Sequence, residues 1–212
     1  MAKGNVLRKL EPVPQGQPEP VPPIRLDIGC GKTTPEGWVG VDRLPFGQKW
    51  TADLSKTPWQ VQSDENPPFD DVTSLDSMPP TYCFTLPDSS VDEVRSSHFV
   101  EHLTGAERIA FFNELWRVMK DGATALIVTP NWSHACAYGD PTHQWPPMSQ
   151  WYPLYLHKDW RAANAPHAPY TCHFDHVVAG SWEAALETRN MEYRQFAMNN
   201  YTNSWRDIIV TL

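Results

Sequence analysis

Leu26-Asp27-Ile28-Gly29-Cys30-Gly31, with Gly40-Val41-Asp42 a short link further on, is the stretch that decides the fold. An apolar run from Ile24 to Ile28 stops at two glycines separated by Cys30, and a second apolar run ends in the carboxylate of Asp42. Glycine at such a bend lets the main chain approach a ligand, because it has no Cβ and positive φ is open to it. An acid at the tip of the neighbouring strand is placed to accept hydrogen bonds from a ribose diol. The pair describes a nucleoside site at the carboxyl edge of a parallel sheet.

The identity of the nucleoside is narrowed by what the loop lacks. A dinucleotide fingerprint needs a third glycine three residues after the second, and that position is Thr34. Lys32-Thr33-Thr34-Pro35-Glu36 is too short and too broken by proline to open a helix whose N-terminus could hold a pyrophosphate. A dehydrogenase or nucleotide-sugar enzyme of similar architecture is therefore disfavoured. S-adenosylmethionine (SAM) carries no phosphate and asks for a ribose acceptor, an adenine slot and a polar cradle for its amino-acid tail, which these residues suit better.

Further along stand Ala52-Asp53-Leu54, Leu86-Pro87-Asp88-Ser89-Ser90-Val91-Asp92-Glu93-Val94, Ser97-His98-Phe99-Val100-Glu101-His102-Leu103 and Glu114-Leu115-Trp116-Arg117-Val118-Met119-Lys120-Asp121-Gly122. In this order, and together with the glycine loop, they resemble class I SAM-dependent methyltransferases, closest to the type 11 group. The resemblance covers roughly residues 24–130. It implies that Asp27 orients the loop and meets the methionine ammonium, that Gly29, Cys30 and Gly31 wrap the cofactor, and that Asp42 takes the ribose. Asp53 and Leu54 are then the adenine-edge pair, and Ser97 and His98 line the methyl-bearing end. Each residue has a plainer reading: a turn cap for Asp27, a solvated strand end for Asp42, a loop acid for Asp53, a backbone-bonded structural histidine for His98. Glu101 and His102 are expected to anchor the following loop.

The expected fold class is α/β, a Rossmann-like, mostly parallel sheet with helices on both faces and an atypical C-terminal helix. Residues 1–23 form a proline-rich arm, 24–130 the SAM-binding core with an insertion at 60–85, and 131–212 the acceptor side of the same domain. Strands are expected near 24–29, 38–42, 49–53, 91–96 and 123–129. Thr104-Gly105-Ala106-Glu107 is a capping box. It opens a helix with Ile109, Phe112, Leu115, Trp116 and Met119 at 3.6-residue spacing, ended by Gly122. A short helix is expected near 149–164. Tyr193, Phe196, Ala197, Tyr201, Trp205, Ile208, Ile209 and Leu212 fall on one helical face and predict a terminal helix in place of the family's closing antiparallel hairpin. The insertion is either a lid or unstructured.

The acceptor should sit outside the strand carboxyl ends, beside Asn131-Trp132-Ser133-His134 and Tyr138-Gly139-Asp140-Pro141-Thr142-His143-Gln144-Trp145. Asp140 and His143 can orient or deprotonate it there, with His98 as a further proton acceptor, while Trp132, Tyr138 and Trp145 exclude water. The same letters also suit a polar loop pinned by aromatics. Cys172-His173-Phe174-Asp175-His176 lacks paired metal-ligand spacing and alternates as a strand would, so no metal is expected.

With 21 prolines and 10 tryptophans in 212 residues, aromatic surfaces are expected as well as an aromatic core. A net charge of −8 without a basic run argues against nucleic acid as the partner. A small molecule or protein side chain fits better. Cysteines without CxxC spacing, no leader pattern and no long apolar run point to the cytoplasm, with no membrane contact. The expected activity is methyl transfer from SAM to an unidentified O, N or C acceptor. The alternative is a catalytically silent SAM-binding or interaction module, suggested by the unusual 131–212 region, the proline arm and Lys120-Asp121-Gly122-Ala123, where relatives often read Lys-Pro-Gly-Gly.

Overall fold

The computed structural model describes residues 22–75 and 81–212. Residues 1–21 of the proline arm, and Met78-Pro79-Pro80 of the insertion, lie outside the described residues. Ten strands make one sheet: β1 (Arg25–Ile28), β2 (Val39–Asp42), β3 (Trp50–Thr51), β4 (Gln60–Ser63), β5 (Val72–Leu75), β6 (Thr81–Thr85), β7 (Val91–Ser97), β8 (Met119–Pro130), β9 (Val177–Trp182) and β10 (Trp205–Thr211). The helices are α1 (Gly105–Val118), α2 (Cys136–Gly139), α3 (Lys158–Asn164), α4 (Ala184–Glu187) and α5 (Met191–Asn200).

The strand order is β5-β6-β4-β3-β2-β1-β7-β8-β10-β9. Its centre, β3-β2-β1-β7-β8, is parallel throughout. Strand β1 lies at the middle, with Leu26, Asp27 and Ile28 all buried, as a strand covered on both sides must be. The chain leaves β1 toward β2 and β3 in one direction and runs from β7 to β8 in the other. The crevice of such a sheet therefore opens between β1 and β7, at their carboxyl ends. Gly29–Gly31, Asp42 and Ser97-His98 all stand on that rim.

The α/β, Rossmann-like sheet is as expected, with antiparallel wings flanking its parallel centre on both sides. Two details are corrected. Crossover helices do not cover both faces: residues 29–38 and 43–49, which link β1 to β2 and β2 to β3, hold no helix. These links are shorter than a helical crossover needs. The C-terminal helix is also shorter than the periodicity suggested. Helix α5 ends at Asn200, and β10 pairs antiparallel with both β8 and β9, restoring the closing hairpin. Ile208 and Val210 are buried between Asp207, Ile209 and Thr211, a period-two pattern. The apolar letters of this segment fit either period, and the open edge of β8 decides between them.

The 60–85 insertion is sheet rather than lid. Strands β4 and β6 pair antiparallel beyond β3, with β5 outside β6. Trp50 packs edge-on against Phe84 at 5.2 Å, and Phe69 against Phe84 at 5.4 Å, which anchors the wing to the centre.

Helix α1 starts at the expected capping box: the Thr104 N–H donates to Glu107 Oε2 at 2.7 Å, and the Glu107 N–H to Thr104 Oγ1 at 3.4 Å. Its buried face, however, is Arg108, Phe111, Phe112, Glu114, Leu115 and Val118, with Ile109 half-buried and Trp116 exposed. Phe111 meets Trp59 and Phe99 at 5.5 and 5.7 Å. Glu114 can lie inside because its Oε1 accepts from the Trp59 N–H at 2.8 Å and from Arg117 at 2.6 Å. The helix stops at Val118. Gly122, at φ +75°, instead sits within β8, where pairing to β7 shifts register between Val91 and Glu93. Residues 171–176 form no strand, yet Cys172 and Phe174 are buried and His173 and Asp175 exposed, as the alternation required. Asn113, Leu156 and Arg161 hold that segment through its main chain.

Candidate functional site

Asp42 closes the crevice on the β2 side. Its Oδ2 accepts from the Gly31 N–H at 2.9 Å and its Oδ1 from the Leu44 N–H at 3.0 Å. Each carboxylate oxygen so held keeps a second lone pair, and the two free positions suit the adjacent hydroxyls of a ribose. Gly29 and Gly31 reach this arrangement at φ +65° and +56°, the left-handed region that other residues enter at a cost. The Gly29 and Cys30 N–H groups both donate to the Val41 carbonyl, at 2.8 and 3.3 Å, binding the loop to β2.

A cavity of about 500 Å³ lies against Asp42, Asp53 and Leu54, with Phe99, His102 and Thr142 among its other walls. Leu54 is buried and offers an apolar surface there. Asp53 Oδ1 accepts from the Ser55 hydroxyl at 2.6 Å and its Oδ2 faces Lys56 at 3.1 Å. The Ser55 hydrogen bond, more than Lys56, holds this carboxyl below its usual range.

The rest of the glycine loop faces elsewhere. Gly31 lines a separate cavity of about 350 Å³ with Lys32, Thr34 and Gln48. Asp27, Gly29, Cys30 and Ser97 line neither cavity. Phe99 covers Gly29, since a Cβ on that glycine would come within 2.6 Å of three Phe99 atoms. Asp27 is buried beside Arg95, at 3.6 Å, and its carboxyl is pushed up chiefly by that burial. Burial also raises the Cys30 thiol.

The residues expected at the methyl-bearing end form two clusters. His98, at φ +55° after β7, is half exposed and stands between Glu101 (Nδ1 to Oε1, 3.3 Å) and Asp207 of β10 (Nε2 to Oδ1, 3.8 Å). The Glu101 contact, foremost, raises its pKa. In the second cluster the His102 and His143 rings meet edge-on at 4.8 Å. Thr142 Oγ1 lies 2.9 Å from His102 Nδ1 and donates to Asp140 Oδ1 at 2.7 Å. Asp140 itself is exposed, its carboxyl held low by the Thr142 hydroxyl. Buried Arg108 fixes the loop between these pieces by donating to the carbonyls of Val100, Glu101, Gln144 and Pro146.

Comparison with known proteins agrees with this architecture. Residues 26–127 match the family model described as a methyltransferase domain. A SAM-dependent methyltransferase from Archaeoglobus fulgidus superposes with a TM-score of 0.50 at 19% identity, over 89% of this chain and 85% of that one. Residues 26–127 are thus similar to a methyltransferase domain, and the chain shares its fold. Similar methyltransferase structures come from Methanosarcina mazei (TM-score 0.45, 15% identity, 95% of this chain and 98% of that one) and Mesorhizobium loti (0.45, 12%, 92% of both chains). No curated protein matches the chain.

Asp42, Asp53 and Leu54 thus converge on one cavity, whereas Asp27, Gly29, Cys30 and Ser97 do not reach it. His143 approaches the cavity wall through the His102 ring, and Asp140 only through Thr142. Trp132, Tyr138 and Trp145 are 47%, 57% and 79% exposed and do not close over the site. Phe99, Thr142 and Asp207 were missed in the sequence reading. A hydrophobic letter directly after Ser97-His98 was the available signal for Phe99; Asp207 had none, because its segment reads as helix. Among the described residues no helix is long and apolar enough to cross a membrane.

Proposed function

We propose that the chain is an active methyltransferase that takes the methyl group of SAM to an O, N or C nucleophile on a small molecule or protein side chain. The observation that carries the reading is Asp42, whose two oxygens are each pinned by one main-chain N–H and each left with one acceptor position beside a nucleoside-sized cavity. Residues 24–130 supply the cofactor side and 131–212 the acceptor side of one domain. The chemistry is in-line displacement at the sulfonium-bound methyl carbon: the acceptor's lone pair forms the new bond, and sulfur keeps the old bonding pair as a thioether. The sulfonium already activates the methyl, so the protein's task is alignment and exclusion of water. Leu54 and Phe99 offer apolar walls for the adenosine, and the acceptor enters past His98 and His102.

The closing hairpin of β9 and β10 supports the enzymatic reading over the silent module, since the unusual 131–212 region was one ground for the latter. The net charge of −8 favours acceptors other than nucleic acid. Four free cysteines support a reducing cytoplasm. The test is incubation with methyl-labelled SAM and a panel of small-molecule, protein and RNA acceptors, followed by S-adenosylhomocysteine release. Label on a small molecule or protein supports the proposal. Label on RNA alone overturns the acceptor class, and SAM binding without any turnover returns the silent module.

A further inference from the structure

Glu101, His102 and His143 form a donor set at the edge of the cavity beside Asp42. Each offers one ligand atom, and the three atoms lie within 4.8 Å of one another. Glu101 is 4% exposed, and its Oε1 has no hydrogen-bond partner, while Oε2 accepts from the Thr129 hydroxyl at 3.3 Å. That oxygen faces His98 Nδ1 at 3.3 Å without hydrogen-bond geometry, and a buried carboxylate calls for cationic company. The three residues bring one oxygen and two nitrogen donors within reach of a single ion.

The hydrogen bonds behind the two histidines set their tautomers. His143 Nδ1 lies 3.1 Å from the Ala137 carbonyl, which can only accept, so Nδ1 carries the proton and Nε2 the lone pair. The Thr142 hydroxyl spends its proton on Asp140 Oδ1, so toward His102 Nδ1 it can only accept, and His102 also presents a bare Nε2. Ligating histidines are held in this way, with the far nitrogen donating to a carbonyl or to a carboxylate-linked group. This gives Asp140 and Thr142 a role as positioning residues.

A second cluster supplies the contrast. His157, His173 and Asp175 are equally close together. There, however, His157 Nδ1 accepts from the Trp160 N–H and His173 Nδ1 from the Lys158 N–H, so in both neutral rings the remaining nitrogen carries the proton. That cluster staples the start of α3, and its two histidines have no lone pair to offer.

We infer that Glu101, His102 and His143 hold one divalent transition-metal ion. Two imidazoles and a carboxylate suit Zn²⁺, Mn²⁺, Fe²⁺ or Co²⁺ rather than Ca²⁺ or Mg²⁺, and three protein ligands leave coordination positions open. His102 and Thr142 also line the cavity beside Asp42, so the ion is a neighbour of the nucleoside pocket.

The experiment is isothermal titration of chelator-treated full-length protein with Mn²⁺, Zn²⁺ and Co²⁺ separately, with the visible absorption of Co²⁺ as a second readout. The expected result is one ion per chain, lost in His143→Ala and in Glu101→Gln and retained in His173→Ala. Thr142→Val, which removes only the hydroxyl behind His102, should weaken binding by roughly 10–100-fold. His143 lies in a loop, so its variant keeps the test usable if Glu101→Gln does not fold. No saturable binding, unchanged affinity in His143→Ala, or loss in His173→Ala overturns the site. S-adenosylhomocysteine affinity measured on the same samples keeps the two readings apart: metal failure with intact nucleoside binding removes only the ion.

Discussion

Replacing Asp42 by alanine should weaken S-adenosylhomocysteine binding by several orders of magnitude while leaving a folded protein. Asp42 Oδ2 and Oδ1 are held by the Gly31 and Leu44 N–H groups, at 2.9 and 3.0 Å, so the carboxylate is oriented before any ligand arrives. A hydrogen bond to a charged group contributes about 1.5–3 kcal/mol, so two ribose hydroxyls together account for about 3–6 kcal/mol. At about 1.4 kcal/mol per tenfold, Asp42→Ala should lose roughly 10²–10⁴ in affinity. Asp42→Asn keeps one acceptor oxygen and should lose about half of that free energy, roughly 10–100-fold. Isothermal titration gives the affinities. Far-UV circular dichroism on heating checks that the glycine loop, which loses an acceptor for the Gly31 N–H, has not taken the domain with it. A folded Asp42→Ala that binds as tightly as the parent refutes the ribose assignment. If Asp42→Asn were as damaged as Asp42→Ala, the counting of free lone pairs would be wrong.

Gly29→Ala places a side chain at φ +65° and a Cβ within 2.6 Å of the Phe99 ring, which already packs on Phe111. The left-handed backbone costs about 1–2 kcal/mol and the crowding about 1–3 kcal/mol more, so urea unfolding should shift by about 2–5 kcal/mol; an unmoved midpoint would contradict the close packing. Asp27→Asn should stabilise the protein at neutral pH. Burial raises the folded carboxyl above 3.8, so its contribution is most favourable below that value and is lost as pH rises through the folded pKa. The variant's advantage should therefore fade as the unfolding assay is taken into acid, and an advantage that grows in acid would reverse the sign and reject the buried-acid account.

What could be read ahead of the structure was local. The β1–turn–β2 unit and the Thr104–Glu107 box depend on neighbours within a few residues, and both stand where the letters put them. The face of α1 was read one step off because buried Glu114 counted as polar, when Trp59 and Arg117 satisfy it from elsewhere. Residues 205–212 carry apolar letters compatible with both periods, and only the distant β8 chooses the strand. The site divides in the same way. Asp42 and Leu54 were legible as residues following strands. The meeting of Glu101 with His143, or of His98 with Asp207, brings together segments whose separation no spacing rule spans.

The placement of β10 between β8 and β9 has a consequence for how the molecule is made. On the ribosome, residues 177–182 emerge before β10, their strand partner among the described residues, and β8 carries an open flank until residues 205–211 appear. A hydrophobic border is thus left waiting for a late insertion, and Asp207 reaches His98 in that same event. Contact of Asp207 with His98 and closure of this flank of the sheet therefore fall together.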